Sequence, residues 1–502
     1  MRVRILTGAV IVFLAFVSLT SILTKGIVND DTYITLRYSR NLAEYHQFTY
    51  NLGNPTYSLT TPLWAILLAL LNPAARNFVL EAQIVATLLS FVAAIFLYKV
   101  SRLIVGPYAL VSVIAFLLDP YLIGADYAGT EMALFASLAM IATYLVATGG
   151  CSFKRCTLIA LLLALLIMTR PEGVLVLVIL ALCGYLIERS WARAKRMMFM
   201  SGMTLLMLLP WLMYASLHFK TVIPTSMILK SLDRSGRLPF SDPVTMLNFT
   251  ILAVKGYFPY FAVIALAGVL VWSDARRGAW KSLFGFGRRD AAPGDAETRA
   301  IRFIPSLFVA GLILFYLCGL KEKAISTRYM VTFSPYLMML TTQSVSVLFQ
   351  KIPIIHKRWK AFTIVVLSLM LVINVSAVRS RVQRSATTDA PRDATGRWIA
   401  KNLSSTSVIA NFCGAGAIAY YFDGQVWDFE LISKMGRDME LAKKKRLGYD
   451  VRFQDYLYKK PDYFVLIRNA ESNSAVGRVV YENETYEIIK LNKQEAPSNK
   501  ED

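Results

Sequence analysis

Apolar windows of about 20 residues, the length a helix needs to cross a hydrocarbon layer, recur from residue 5 to residue 378. They fall near 5–24, 79–99, 108–124, 131–148, 156–170, 173–188, 198–217, 250–272, 302–320, 330–349 and 361–378. Backbone in hydrocarbon has to satisfy its hydrogen bonds internally, so the chain reads as a polytopic α-helical membrane protein with about eleven spans. Hydrophobic residues make up 56% and charged residues 17% of the 502, at a mean hydropathy of +0.48, which excludes a soluble globular domain. The apolar segment 62–71 is too short to span comfortably and reads as a juxtamembrane or re-entrant helix. No small-residue cleavage site follows the first window, so it reads as a retained span and not as a signal peptide.

With the N-terminus in the cytoplasm, the connections 99–102, 154–155, 189–196, 274–302 and 351–360 are cytoplasmic and each carries lysine or arginine. That pattern accounts for most of the net charge of +21, the rest fitting attraction to anionic lipid, and it implies no nucleic-acid partner. It also gathers Asp30, Asp31, Asp119, Asp126, Glu131, Arg170, Glu172, Lys230, residues 321–328 and everything after 378 on the extracytoplasmic face of a plasma (inner) membrane. Residues 1–378 form the transmembrane part. Residues 379–502 change composition, with a helix near 393–403 and strands near 407–411, 425–428 and 463–467, and read as a small extracytoplasmic α/β domain. The cysteines have no metal-ligand spacing, so neither zinc nor disulfides are expected, and Gly414-Ala415-Gly416 reads as a tight turn, not a nucleotide loop.

Two adjacent carboxylates, Asp30 and Asp31, directly follow the first span. Ionisable groups at such a place are costly unless they act. Like-charge proximity and partial burial raise one carboxyl toward the range of a general base, while the structural alternative is that Asp30 caps the next helix. Glu131 lies in the first turn of a predicted helix, where helix electrostatics favour an acid, and Asp126 precedes it in the same loop. Arg170 and Glu172 flank Pro171 and either pair with each other or meet a phosphate. Lys230 and Arg328 complete a basic rim.

The run Asp30-Asp31-Thr32-Tyr33-Ile34, with Arg37-Tyr38-Ser39-Arg40-Asn41-Leu42, Asn51-Leu52-Gly53 and Thr60-Thr61-Pro62-Leu63-Trp64, resembles the first extracytoplasmic loop of GT-C glycosyltransferases, most closely the branch of cell-wall arabinofuranosyltransferases. Thr169-Arg170-Pro171-Glu172-Gly173, Arg328-Tyr329 followed by Pro335, the run Cys413 to Tyr421, and Pro461-Asp462-Tyr463-Phe464-Val465 carry the resemblance over nearly the full length. It implies an enzyme that moves a sugar from a polyprenyl-phosphate donor to a hydroxyl of a glycan, glycolipid or protein acceptor at the outer face of the bilayer. Asp30 is then the expected base and Asp31 its helix-cap, hydroxyl-binding or metal-binding partner. Arg37, Asp126, Glu131, Arg170, Glu172, Lys230, Arg328 and Tyr329 become the expected substrate contacts. No cofactor is demanded, although a divalent cation could be held by Asp30, Asp31 or Glu131. Relatives carry Glu-Gly where this chain has Tyr57-Ser58, which leaves donor and acceptor identity open. A protein or lipid A transferase is the nearest alternative. A carrier of lipid-linked sugars is the alternative from another class, and it would place ionisable residues along several spans and on both faces.

Overall fold

The computed structural model describes residues 2–73, 77–148, 152–188, 190–224, 226–227, 257–258, 260–269, 293–319, 327–352, 359–411, 414, 416–428, 461–468 and 477–491. The predicted windows recur as helices α1 (Arg2–Leu23), α4 (Phe78–Val105), α5 (Ala109–Leu117), α7 (Met132–Ala147), α8 (Phe153–Thr169), α9 (Gly173–Glu188), α10 (Trp191–Phe219), α11 (Tyr260–Val269), α12 (Pro293–Gly319), α13 (Ser334–Lys351) and α14 (Trp359–Arg384). Between them lie α2 (Asp30–Tyr45), the short helix α3 (Pro62–Leu71) and α6 (Pro120–Ala128). Among the described residues three stretches are long and apolar enough to cross a membrane, Leu6–Leu23, Phe78–Leu117 and Trp191–Phe219, and a fourth if α6 and α7 count as one broken span. The second stretch contains a reversal: Gly106 takes φ 55, Pro107 follows, and α5 packs back against α4.

The window near 108–124 is not one helix. Pro120 has no N–H to donate, so α5 stops at Leu117 and a new helix starts, with the Asp119 carboxylate accepting the Tyr121 N–H at 3.0 Å. Asp119 is fully buried and also accepts the hydroxyls of Tyr257, at 2.9 Å, and Ser334, which joins three distant segments. α6 and α7 meet at 120° around Gly129, at φ 67. A Cβ there would approach the Ala82 Cβ to 2.8 Å, so glycine is required both for the bend and for contact with α4. Cys156 is disulfide-bonded, against the expectation of none, because pairing depends on proximity in the fold and not on spacing.

After α14 the chain passes without a break through a π turn (Ser385–Asp389) into α15 (Ala390–Asn402). There follow β1 (Val408–Asn411), α16 (Ala417–Tyr421), β2 (Gln425–Asp428), β3 (Tyr463–Ile467), β4 (Gly477–Glu482) and β5 (Tyr486–Leu491). The sheet order is β2-β1-β3-β5-β4, parallel from β2 to β3 and antiparallel beyond. Its apolar face does not form a separate core. Ile409, Ile418, Val426, Val465 and Ile488 pack in one cluster with Ile34 and Tyr38 of α2, with Phe48, Tyr50 and Tyr57 of the first loop, and with Ala215 and Phe219 of α10. The C-terminal unit is therefore fused to the first loop by buried apolar surface.

Candidate active site

Helix α2 starts at the predicted acids, but its cap is Asn29, whose side-chain oxygen accepts the Thr32 N–H at 3.0 Å. Asp30 and Asp31 fall in the first turn, where negative charge meets the positive end of the helix. The two carboxylates then diverge. Asp31 is exposed. Asp30 turns toward the C-terminal unit, where its Oδ2 and Oδ1 accept the N–H groups of Gly416 and Ala417, each at 2.9 Å, and Arg392 Nη1 stands 3.5 Å from Oδ1. Burial pushes the Asp30 carboxyl above its ordinary range, against the opposing pull of Arg392 and the two amides.

Arg37, expected at the substrate, is instead a buried clasp. Its Nε donates to Tyr50 O, its Nη1 to Ala419 O and Phe422 O, and its Nη2 to Asn51 Oδ1 and Gly424 O. All five guanidinium donors are thereby committed to the first loop and to the turn after α16. Asn51 adds a paired contact with β2, its amide donating to Val426 O at 2.8 Å and accepting the Val426 N–H at 3.1 Å. A third tie is Asp393, which accepts the hydroxyls of Tyr33 and Tyr421, at 2.8 and 2.6 Å, and pairs with Arg397 at 2.7 Å.

Glu131, Arg170, Glu172 and Tyr329 come together in the fold. Arg170 Nη1 reaches Glu131 at 2.5 Å and Nη2 reaches Glu172 at 2.6 Å, while its guanidinium lies 5.1 Å from the centre of the Tyr329 ring. The α6–α7 bend that carries Glu131 also carries Tyr127, whose hydroxyl donates to Ile27 O at 2.5 Å, three residues before Asp30. The two acidic centres thus share one end of the bundle, as their common side in the sequence predicted. Trp64 Nε1 donates to Gly129 O at 3.1 Å, which brings the Thr-Pro-Leu-Trp segment to the same end. Asp126 faces inward, fully buried beside Ser90, and among the described residues both of its oxygens and the Thr61 hydroxyl lack a hydrogen-bond partner.

Lys230 and the Arg328 side chain lie outside the described residues. Among the described residues no three His, Cys, Asp or Glu side chains converge as a metal site. Both Asp30 oxygens take N–H donors beside a guanidinium, so Asp30 is already supplied with positive partners.

No family model and no curated protein matches the sequence. Solved structures are similar in fold. ArnT from Cupriavidus metallidurans bound to undecaprenyl phosphate is similar at a TM-score of 0.64 and 12% identity, over 96% of this chain and 98% of that one. The apo state of ArnT gives 0.64 at 13% identity over the same shares. The apo oligosaccharyltransferase of Archaeoglobus fulgidus gives 0.55 at 9% identity, over 93% of this chain and 69% of that one. The chain has the GT-C fold.

On this GT-C scaffold the residues that hold Asp30 were not legible in the first loop. Arg392 lies on α15, and the small-residue run at Gly414, read as a turn, carries the glycines that admit Asp30. A Cβ on Gly416 would run into the Asp30 carbonyl oxygen, and one on Gly414, at φ 111, would lie 2.8 Å from Asp30 Oδ2. Next to this contact Asp389 is buried at the π turn, and burial pushes its carboxyl up to about 6 in spite of Arg384 and Arg392. The folded protein therefore binds this proton more tightly than the unfolded chain. Stability from this group is fully present below about 3.8 and is lost as pH rises to about 6. Asp389→Asn should flatten the melting temperature between those pH values and raise it by a few degrees at neutral pH. An unchanged profile in a thermal scan of both proteins would contradict this.

Proposed function

We propose that the protein is a glycosyltransferase that moves a sugar from a polyprenyl-phosphate donor to a hydroxyl of a cell-envelope glycan or glycolipid, with inversion, at the outer face of the inner membrane. One observation carries this reading: the fold follows that of undecaprenyl-phosphate-bound ArnT over nearly the whole of both chains. The sequence resemblance to the arabinofuranosyltransferase-like branch supports an envelope glycan as acceptor. The basic connections support a cytoplasmic N-terminus and an outer location for residues 379–502, with residues 1–378 as the catalytic membrane part.

In this account a first-loop carboxylate takes the proton of the acceptor hydroxyl as its oxygen attacks the anomeric carbon. The bond between that carbon and the phosphate oxygen breaks, and polyprenyl phosphate leaves with the electron pair. No strong acid is needed, because the phosphate is already a stable anion. Asp30 fits the base role through its raised carboxyl and fixed orientation, with Asp31 beside it on the exposed side. Arg170 is already shared between Glu131 and Glu172, so its role is to set that pair against the sugar, and Lys230 and Arg328 are the cations proposed for the phosphate.

The test is the purified protein in lipid vesicles with radiolabelled polyprenyl-phosphate sugars and a membrane glycolipid extract. Label is expected in an acceptor, with free polyprenyl phosphate released in equal amount. Intact lipid-linked sugar moving between leaflets, with no transfer across the panel, would establish a carrier and overturn the reading.

A further inference from the structure

Resting on that reading, we infer that Arg392 is a positioning residue for the first-loop base, so that transfer requires the C-terminal α/β unit to be docked on α2. Several ties join the two, each from a different residue of α2 or of its loop, with Arg40 also pairing with Asp423 and the Gln425 amide donating to Leu52 O. Arg37 clasps the turn after α16, Asn51 pairs with β2, Tyr33 meets Asp393, and Asp30 itself enters the cradle at Gly416. Only the last engages a group assigned to the chemistry. The amides of Gly416 and Ala417 hold one oxygen each, which sets the plane of the Asp30 carboxylate. Arg392 stands on the Oδ1 side at 3.5 Å, too long for a strong hydrogen bond but close enough to favour one orientation of the charge.

Arg392 is itself held in place. Its guanidinium lies 5.9 Å from the centre of the Tyr486 ring of β5, and a Cβ on Gly414 would come within 2.9 Å of its Cζ. The side chains of Arg392 and Asp30 are only 16% and 13% exposed, so the pair is formed mostly out of water, where a misplaced carboxylate is not corrected by solvent. α15 continues from α14 through the π turn, so a shift of the membrane helix would reach Arg392 directly. The ties through Arg37 and Asn51 secure docking without touching Asp30, and they leave Arg392 with orientation as its own task.

The test uses full-length protein in lipid and steady-state transfer from a polyprenyl-phosphate sugar accepted by the wild type, with Arg392→Gln and Arg392→Lys alongside. Arg392→Gln should lower kcat by about tenfold or more while KM for the donor stays within about twofold, because orientation is lost and binding is not. Arg392→Lys should recover most of kcat, and both variants should melt near the wild type because the other ties persist. An unchanged kcat in Arg392→Gln would overturn the inference. So would a kcat loss that Lys does not relieve and that follows the amount of folded protein. A wild type that transfers no sugar would instead remove the proposed function, and this inference with it.

Discussion

Arg37→Met is expected to prevent accumulation of folded protein. The side chain is 2% exposed and every donor is engaged, so its loss strips the buried Phe422 and Gly424 carbonyls of their donor and leaves those of Tyr50 and Ala419 with one donor each, Asn41 Nδ2 and the Phe422 N–H. A buried acceptor without a donor costs about 1–3 kcal/mol, so the two orphaned carbonyls together should cost about 2–6 kcal/mol, a large share of the stability of an ordinary domain. Arg37→Lys should fail nearly as badly, since one ammonium cannot reach acceptors arranged around a planar fork. Size-exclusion profiles and melting of protein in detergent measure this. A variant that purifies and melts like the wild type would show that the clasp is not needed.

The second large effect is expected at the other polar centre. Arg170→Gln removes the cation shared by Glu131 and Glu172, both buried, and leaves two like charges in low dielectric. Breaking a buried ion pair from one side costs about 3–5 kcal/mol, so this single change should be severe. Glu131→Gln, Arg170→Gln and Glu172→Gln combined should melt well above Arg170→Gln alone, because the repulsion between the two carboxylates is removed with the cation, although transfer should still be lost. If the triple variant melts no higher than the single one, the cluster is held by contacts other than its charges.

These two centres differed in how readable they were. Membrane topology puts Glu131, Arg170 and Glu172 on one face in the sequence, and the Arg170–Glu172 pair is legible across Pro171, but the contact of Arg170 with Glu131 and Tyr329 is seen only in the fold. Arg37 could not be told from a ligand contact. A buried arginine and a phosphate-binding arginine look alike until their acceptors are known, and here the acceptors are backbone carbonyls far along the chain. The cap of α2 falls on Asn29, whose side chain accepts the Thr32 N–H, and Asp30 is the first helical residue with its carboxylate on the amides of Gly416 and Ala417. The hairpin of β4 and β5 was missed because Arg478, Glu482, Glu487 and Lys490 interrupt its short apolar runs, so that the sequence reads as a polar tail. The parallel strands β1 and β3 stood out by their continuous apolar runs. Arg392 had no signal in its own neighbourhood. The small residues that let Asp30 approach read as a turn.

The most direct measurement is sugar transfer by Asp30→Asn, compared with wild type in the same lipid and with donor binding followed in parallel. The variant keeps the shape of the side chain and loses the basic oxygen, so transfer should fall at least about a hundredfold while the polyprenyl-phosphate sugar still binds. Transfer by Asp30→Asn at the wild-type rate would contradict the account, for it would leave the carboxylate between α2 and Gly416 as a structural tie only.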